Sequence, residues 1–163
     1  MGNVDLRRFE AADRPWLVQQ HREIYARDDG FDETFAELVD DILTDFVACH
    51  DPDRERGWIV QQGGDRLGSI FCVDAGEDGA KIAKLRLFLL LPRVRGLGLG
   101  RRMLRSSMQF ARQAGYTGMR LWTHESHRAA CALYAASGWQ LQCSRPVHSF
   151  GVDLVEQSWR IDL

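Results

Sequence analysis

Leu87-Phe88-Leu89-Leu90-Leu91-Pro92-Arg93-Val94-Arg95-Gly96-Leu97-Gly98-Leu99-Gly100-Arg101-Arg102 runs from an apolar stretch through a proline and a glycine-spaced turn into a basic segment. The apolar part closes a strand, Ile82–Leu91, apolar on both faces near its end and so expected in the middle of a sheet. Beyond the turn, Met103, Leu104, Met108 and Phe110–Ala111 recur at helical spacing, giving an amphipathic helix to about Ala114 with Gly115 behind it. The glycines let the backbone come close to a ligand. Leu97 to Arg101 present successive N–H groups at a helix start, where partial positive charge and unpaired donors favour phosphate. Arg93, Arg95, Arg101 and Arg102 add positive field. A pyrophosphate ligand is the inference, against a merely tight turn. No Gly-Lys-Ser/Thr follows, so this is not a Walker A loop, and the G-x-G-x-G spacing differs from G-x-G-x-x-G.

Upstream, Val4–Phe9 reads as a first strand. Asp13 is a cap candidate and Pro15 an early residue of a helix to about Ala26, broken by Arg27-Asp28-Asp29-Gly30. Asp32 caps a second helix, Glu33–His50, whose apolar stripe is Phe35, Leu38, Val39, Ile42, Leu43, Phe46 and Val47. Trp58–Gln62 and Leu67–Val73 are strands joined at Gly63-Gly64-Asp65, and Gly76-Glu77-Asp78-Gly79 is a second turn. Downstream lie a strand Met119–Thr123, a helix Arg128–Ser137 stopped by Gly138, and strands Trp139–Cys143 and Val152–Ile161. The order β-α-α-β-β-β-α-β-α-β-β predicts one α/β (α+β) domain over residues 1–163, with a mixed, largely antiparallel central sheet flanked by helices.

With 163 residues, 45% hydrophobic and 27% charged, the chain has an ordinary globular balance. Its longest apolar run, Leu87–Leu91, is far short of the roughly 20 residues a membrane span needs. The N-terminus lacks a signal-peptide core, and the four cysteines form no C-x-x-C pair, so a cytoplasmic protein without a metal is expected. Charge is uneven. Residues 1–79 hold 8 Arg against 19 Asp and Glu, a net of −11; residues 80–163 hold 13 Lys and Arg against 4, a net of +9. Either the halves complement each other in the fold, or they serve ligands of opposite sign. The arginines gather around one loop and no nucleic-acid signature accompanies them, so no nucleic-acid partner is expected.

Two motifs carry a resemblance. Arg95-Gly96-Leu97-Gly98-Leu99-Gly100 matches the signature Q/R-x-x-G-x-G/A, and Ala130-Cys131-Ala132-Leu133-Tyr134-Ala135-Ala136-Ser137-Gly138-Trp139 matches the block A-x-x-L-Y-x-x-x-G-F with Trp for Phe. In their order and spacing they resemble the GNAT superfamily of acyl-CoA-dependent N-acyltransferases. More narrowly, Tyr25–Arg27 with Phe31–Phe35, Leu121–Ser126 and Phe150–Val155 look like the acetyltransferase halves fused to MarR-type regulators. These residues hold no winged-helix segment, so no DNA role transfers.

The resemblance implies acetyl-CoA as co-substrate, an amine acceptor (small molecule or protein), and direct attack in a ternary complex. It assigns Arg95, Gly96, Leu97, Gly98, Leu99, Gly100 and Arg101 to the pyrophosphate, and backbone groups of Phe88, Leu89 and Leu90 to the pantetheine arm. Tyr134 would protonate the leaving thiolate. His127 stands where the family often has a cofactor-binding Asn, with Ser126 beside it as a substitute. Trp122 takes the place of a carboxylate that serves some relatives as base. Glu125 and His127 are the base candidates retained, with His124 and His21 also in reach. His21, Tyr25 and Phe31 are candidates for the acceptor site on the first two helices. A homodimer is expected. The alternatives are a non-catalytic acyl-CoA sensor and an interaction module pairing through its C-terminal strands.

Overall fold

The computed structural model describes residues 2–77 and 79–163, so Asp78 in the second expected turn lies outside the described residues. Seven strands form one sheet in the order β1-β2-β3-β4-β5-β7-β6. They are β1 (Val4–Arg8), β2 (Arg56–Gln62), β3 (Asp65–Asp74), β4 (Ile82–Leu90), β5 (Gly118–His124), β6 (Gln140–Ser149) and β7 (Val152–Asp162). Every pairing is antiparallel except β4 with β5. The helices are α1 (Arg14–Asp29), α2 (Glu33–Cys49), α3 (Leu99–Gln113) and α4 (Arg128–Ala136). Element order and fold class are those expected from the sequence.

The sheet has a core on each face. Ile59, Phe71 and Val73 pack on one side with Leu17, Val39, Leu43 and Phe46 of α1 and α2. Trp58, Val60, Ile70 and Cys72 pack on the other with Met103, Leu104 and Phe110 of α3, and with Tyr134 of α4. The two sets alternate along β2 and β3, as the two-residue period of a strand buried on both faces requires. The charge asymmetry is therefore spatial: the acidic α2 covers one face and the arginine-rich α3 the other.

Some expectations need correction. α1 continues a turn past Ala26 and ends at Gly30, whose φ of 73° is left-handed. Asp13 makes no side-chain cap to α1; its carboxylate instead binds Arg7, Arg66 and the Glu10 N–H, and it is buried. Leu38 and Val47 of the α2 stripe are exposed, because the stripe is wider than the face the sheet can cover. β6 is twice the expected length, running through Pro146 to Ser149. It lies at the sheet edge, where a proline is tolerated.

Candidate active site

β4 and β5 pair only at Ile82–Lys84 with Gly118–Arg120. Beyond Lys84 they part: β4 stays with β3 to Leu90 and β5 stays with β7 to His124. The cause lies in β4, which carries one extra residue opposite Ile70 of β3, a bulge. Leu87 sits there at φ 48°, a left-handed conformation that costs a branched residue on the order of 1 kcal/mol or more. The buried Ser69 hydroxyl donates to the Leu87 carbonyl at 2.7 Å and holds the bulge. Backbone groups of Phe88 to Leu90 on the β5 side are thereby released from sheet pairing.

At the end of β4 the chain makes a 3-10 turn (Pro92–Val94) and enters the glycine loop. Gly98, with φ 81° and open space where a side chain would stand, precedes α3. The first helical bond runs from the Arg102 N–H to the Gly98 carbonyl at 3.2 Å, so the N–H groups of Leu99, Gly100 and Arg101 precede the helical ladder. Gly100 lies against Leu133 of α4 and Phe88 of β4, at distances where a Cβ would make ordinary contacts of 3.4 and 3.7 Å. Leu97 and Arg101 are exposed. Arg95 turns back: its Nε donates to the Leu90 carbonyl at 3.1 Å and its guanidinium lies 3.8 Å from Asp28. Arg102 donates to the Val4 carbonyl, away from the loop.

Tyr134 is buried between Phe88, Trp139 and Trp159, with ring centroids 6.4, 5.9 and 6.1 Å away. Burial, with Tyr25 and Cys131 adding to it, raises its pKa well above the ordinary value, so the hydroxyl keeps its proton. Tyr25 belongs to an aromatic cluster that joins distant segments: its ring lies 5.5 Å from Phe31, 4.5 Å from Phe35 and 5.4 Å from His127. Phe150 and His124 complete the cluster, 4.9 and 5.4 Å from Phe31. Burial pushes the Tyr25 pKa up to about 12.

The remaining candidates fall in different places. His21 is buried, with Nδ1 2.7 Å from the Leu17 carbonyl, and its ring stacks 5.9 Å from Tyr25. Burial lowers its pKa to about 4, which keeps it neutral. His127 and Ser126 both meet Asp29, at 3.0 and 3.5 Å. Glu125 is exposed, on the rim of an 870 Å³ cleft that Asp29, Phe31, His124 and Val155 also line. Burial, together with the neighbouring His127, lowers the pKa of His124. Sequence reading missed Ser69 and Asp29. Each acts on a partner far along the chain, and neither has a local signal.

Comparison with known proteins decides the family. The profile described as acetyltransferase (GNAT) family matches residues 14–139. The chain belongs to this family. Among curated relatives, N-acetyltransferase 8 of Rattus norvegicus is 30% identical over 101 residues, 60% of this chain and 46% of that protein. N-acetyltransferase family 8 member 2 of the same organism is 32% identical over 85 residues, 51% of this chain and 38% of its own. The chain thus spans about half the length of the curated relatives it matches, or less. In three dimensions it resembles yncA of Salmonella typhimurium, solved with its cofactor acetyl-CoA, at a TM-score of 0.80 and 18% identity over 98% of this chain and 94% of that one. Ribosomal-protein-alanine N-acetyltransferase from Brucella melitensis gives 0.79 and 18%, over 98% and 99%. At such identities these structures support the GNAT fold. Among the described residues, no helix is long and apolar enough to cross a membrane.

Proposed function

We propose that this chain transfers an acetyl group from acetyl-CoA to a primary amine by direct attack in a ternary complex. The observation that carries this is the alignment of three features along one opening. These are a glycine loop at a helix start, a β4 edge freed by the Leu87 bulge, and a buried, protonated tyrosine beside it. The donors at Leu99 to Arg101 suit a pyrophosphate. The freed β4 groups suit the amides of a pantetheine arm, and one of their N–H groups would polarise the thioester carbonyl. Acetyl-CoA supplies the activated acyl group.

The acceptor amine, with an ordinary pKa near ~10, must first lose a proton. Water, Glu125 on the rim of the 870 Å³ cleft, or His127 paired with Asp29 would take it. The C–N bond then forms as the C–S bond breaks, and the Tyr134 hydroxyl gives its proton to the departing sulfur. His21, behind Tyr25, fixes the cluster wall that Tyr25 and Phe31 present to the acceptor.

The three stretches that resemble MarR-fused acetyltransferases supply Tyr25, Phe31, Phe35, His124 and Phe150 to this one cluster, which supports reading their likeness as a shared acceptor pocket. We also read residues 1–163 as one catalytic domain, placed in the cytoplasm. The homodimer reading draws on edge strand β6, whose residues Gln140 to Pro146 are exposed. The test of the main proposal is thiol release from acetyl-CoA with a panel of primary amines. Release that depends on both an amine and Tyr134 supports it. Acetyl-CoA binding without transfer to any amine would favour the sensor alternative.

A further inference from the structure

Two cations on the central strand are unused by the reaction above. Lys84 and Arg86 stand two residues apart on β4, and so on one face of the sheet. Their cross-strand neighbours Val73 and Phe71 belong to the α1/α2 core, which fixes that face. Both side chains are partly buried at the point where β4 and β5 part.

Neither is neutralised among the described residues. Arg86 makes no salt bridge or hydrogen bond, and burial lowers its pKa with only Glu55 opposing through space. The Lys84 ammonium lies 4.7 Å over the Trp122 ring; burial and Arg86 lower its pKa, and Glu156 opposes through space. Two of the carboxylates near Arg86 are engaged elsewhere. Glu55 accepts from the Asp51 and Asp74 N–H groups, and Asp74 is bridged to Arg54 at 2.8 Å. Two like charges held side by side and half-desolvated make a site that an anion stabilises.

Arg86 and Leu87 line a 380 Å³ hollow in which, among the described residues, Arg86 is the one cation facing Asp41 and Asp45 of α2, with the engaged Glu55 and Asp74 beside it; Lys84 stands next to it on the strand, outside the lining. Leu87 is the bulge residue and precedes Phe88, whose backbone is expected to face the pantetheine arm. The glycine loop is elsewhere: from Arg86 to Leu90 alone, β4 advances about 13 Å. These cations therefore do not belong to the phosphate site.

We propose that Arg86, assisted by Lys84, binds a carboxylate of the amine acceptor, and that the acceptor is an α-amino acid rather than a simple amine. A guanidinium fork matches a carboxylate in two parallel hydrogen bonds. The acidic wall repels an anion that carries no ammonium group, so floor and wall together select a zwitterion. This rests on the acetyl-transfer reading above and adds the substrate class to it.

The experiment measures thiol release with the standard amino acids, their α-amides and their decarboxylated amines. It uses the wild-type chain and the variants Arg86→Gln, Arg86→Lys and Lys84→Gln. CoA affinity by calorimetry is the control for folding and for the glycine loop. The expected result is at least one amino acid with kcat/KM ten-fold or more above its amide. In Arg86→Gln that ratio falls toward one through a higher KM, with a smaller fall in Lys84→Gln and partial retention in Arg86→Lys. Amides or decarboxylated amines used as well as acids would overturn the proposal, as would a ratio unmoved by Arg86→Gln. So would transfer to none of the set while acetyl-CoA still binds. Failure of acetyl-CoA itself to bind would instead remove the reading beneath it.

Discussion

Both carboxylate oxygens of Asp29 lie 3.0 Å from Nε2 of His127, closing a loop of 98 residues. The pair ties the last residue of α1 to the residue before α4, and α4 carries Tyr134. Asp29→Ala is therefore expected to cost about 1.5–3 kcal/mol, the range of hydrogen bonds to charged groups. It should also let Tyr134 drift, and misplacement by about 1 Å can cost on the order of 100-fold in rate. Thermal unfolding and kcat, measured together, check this. A loss of a few degrees in Tm with a larger loss in kcat is the expected pattern.

Ser69 is expected to matter beyond its size. Its hydroxyl satisfies the carbonyl of the strained Leu87 at the bulge. Ser69→Ala leaves a buried carbonyl with one partner fewer, at about 1–3 kcal/mol. With the bulge loosened, acetyl-CoA affinity should fall as well. Valine at the same position overfills a fully buried site and should be worse.

Acid stability should report Asp13. Burial alone would raise its pKa, but hydrogen bonds from Arg7, the Glu10 N–H and Arg66 outweigh it and hold the carboxyl at about 2, below the ordinary 3.8. A depressed folded-state value means stability that is full above pH ~4 and lost as pH falls toward 2. The amount is about 2 kcal/mol. Denaturant unfolding from pH 6 to pH 2 should show this slope, and Asp13→Asn should remove its share.

Tyr134→Phe is expected to lower kcat much more than acetyl-CoA affinity. In the wild type, turnover should rise from pH 6 to pH 9 as the amine loses its proton. Because burial raises the tyrosine pKa, no descending limb from this group should appear below pH 10. A flat profile would exclude rate-limiting amine deprotonation.

What the sequence disclosed was what is local. Gly96, Gly98 and Gly100 sit in five consecutive residues, and the left-handed backbone of Gly96 and Gly98 follows from residue type. The apolar run Leu87–Leu91 is equally local, and the central place of its strand in the sheet followed from it. β6 was cut short because its polar residues and Pro146 offer no strand pattern; it forms because β7 supplies a partner at every step. The site was legible only in part for the same reason. Tyr134 and the loop stand in contiguous motifs. The Asp29 contact with His127, the Ser69 contact with Leu87 and the crowding of Lys84 beside Arg86 exist only once distant segments meet. His21 was named as a candidate, but its burial depends on how α1 packs, and no periodicity announces that.

Calorimetric titration asks whether the glycine loop and the β4 edge hold acetyl-CoA. Wild-type protein and Gly98→Glu would each be titrated with acetyl-CoA, and with ATP and NAD for comparison. Glutamate at Gly98 forces a side chain into a left-handed backbone and sets a negative charge at a helix start. Saturable binding of acetyl-CoA in preference to ATP and NAD, lost in Gly98→Glu, is the expected result. Equal affinity in the two proteins, or no acetyl-CoA binding by folded wild type, would contradict it.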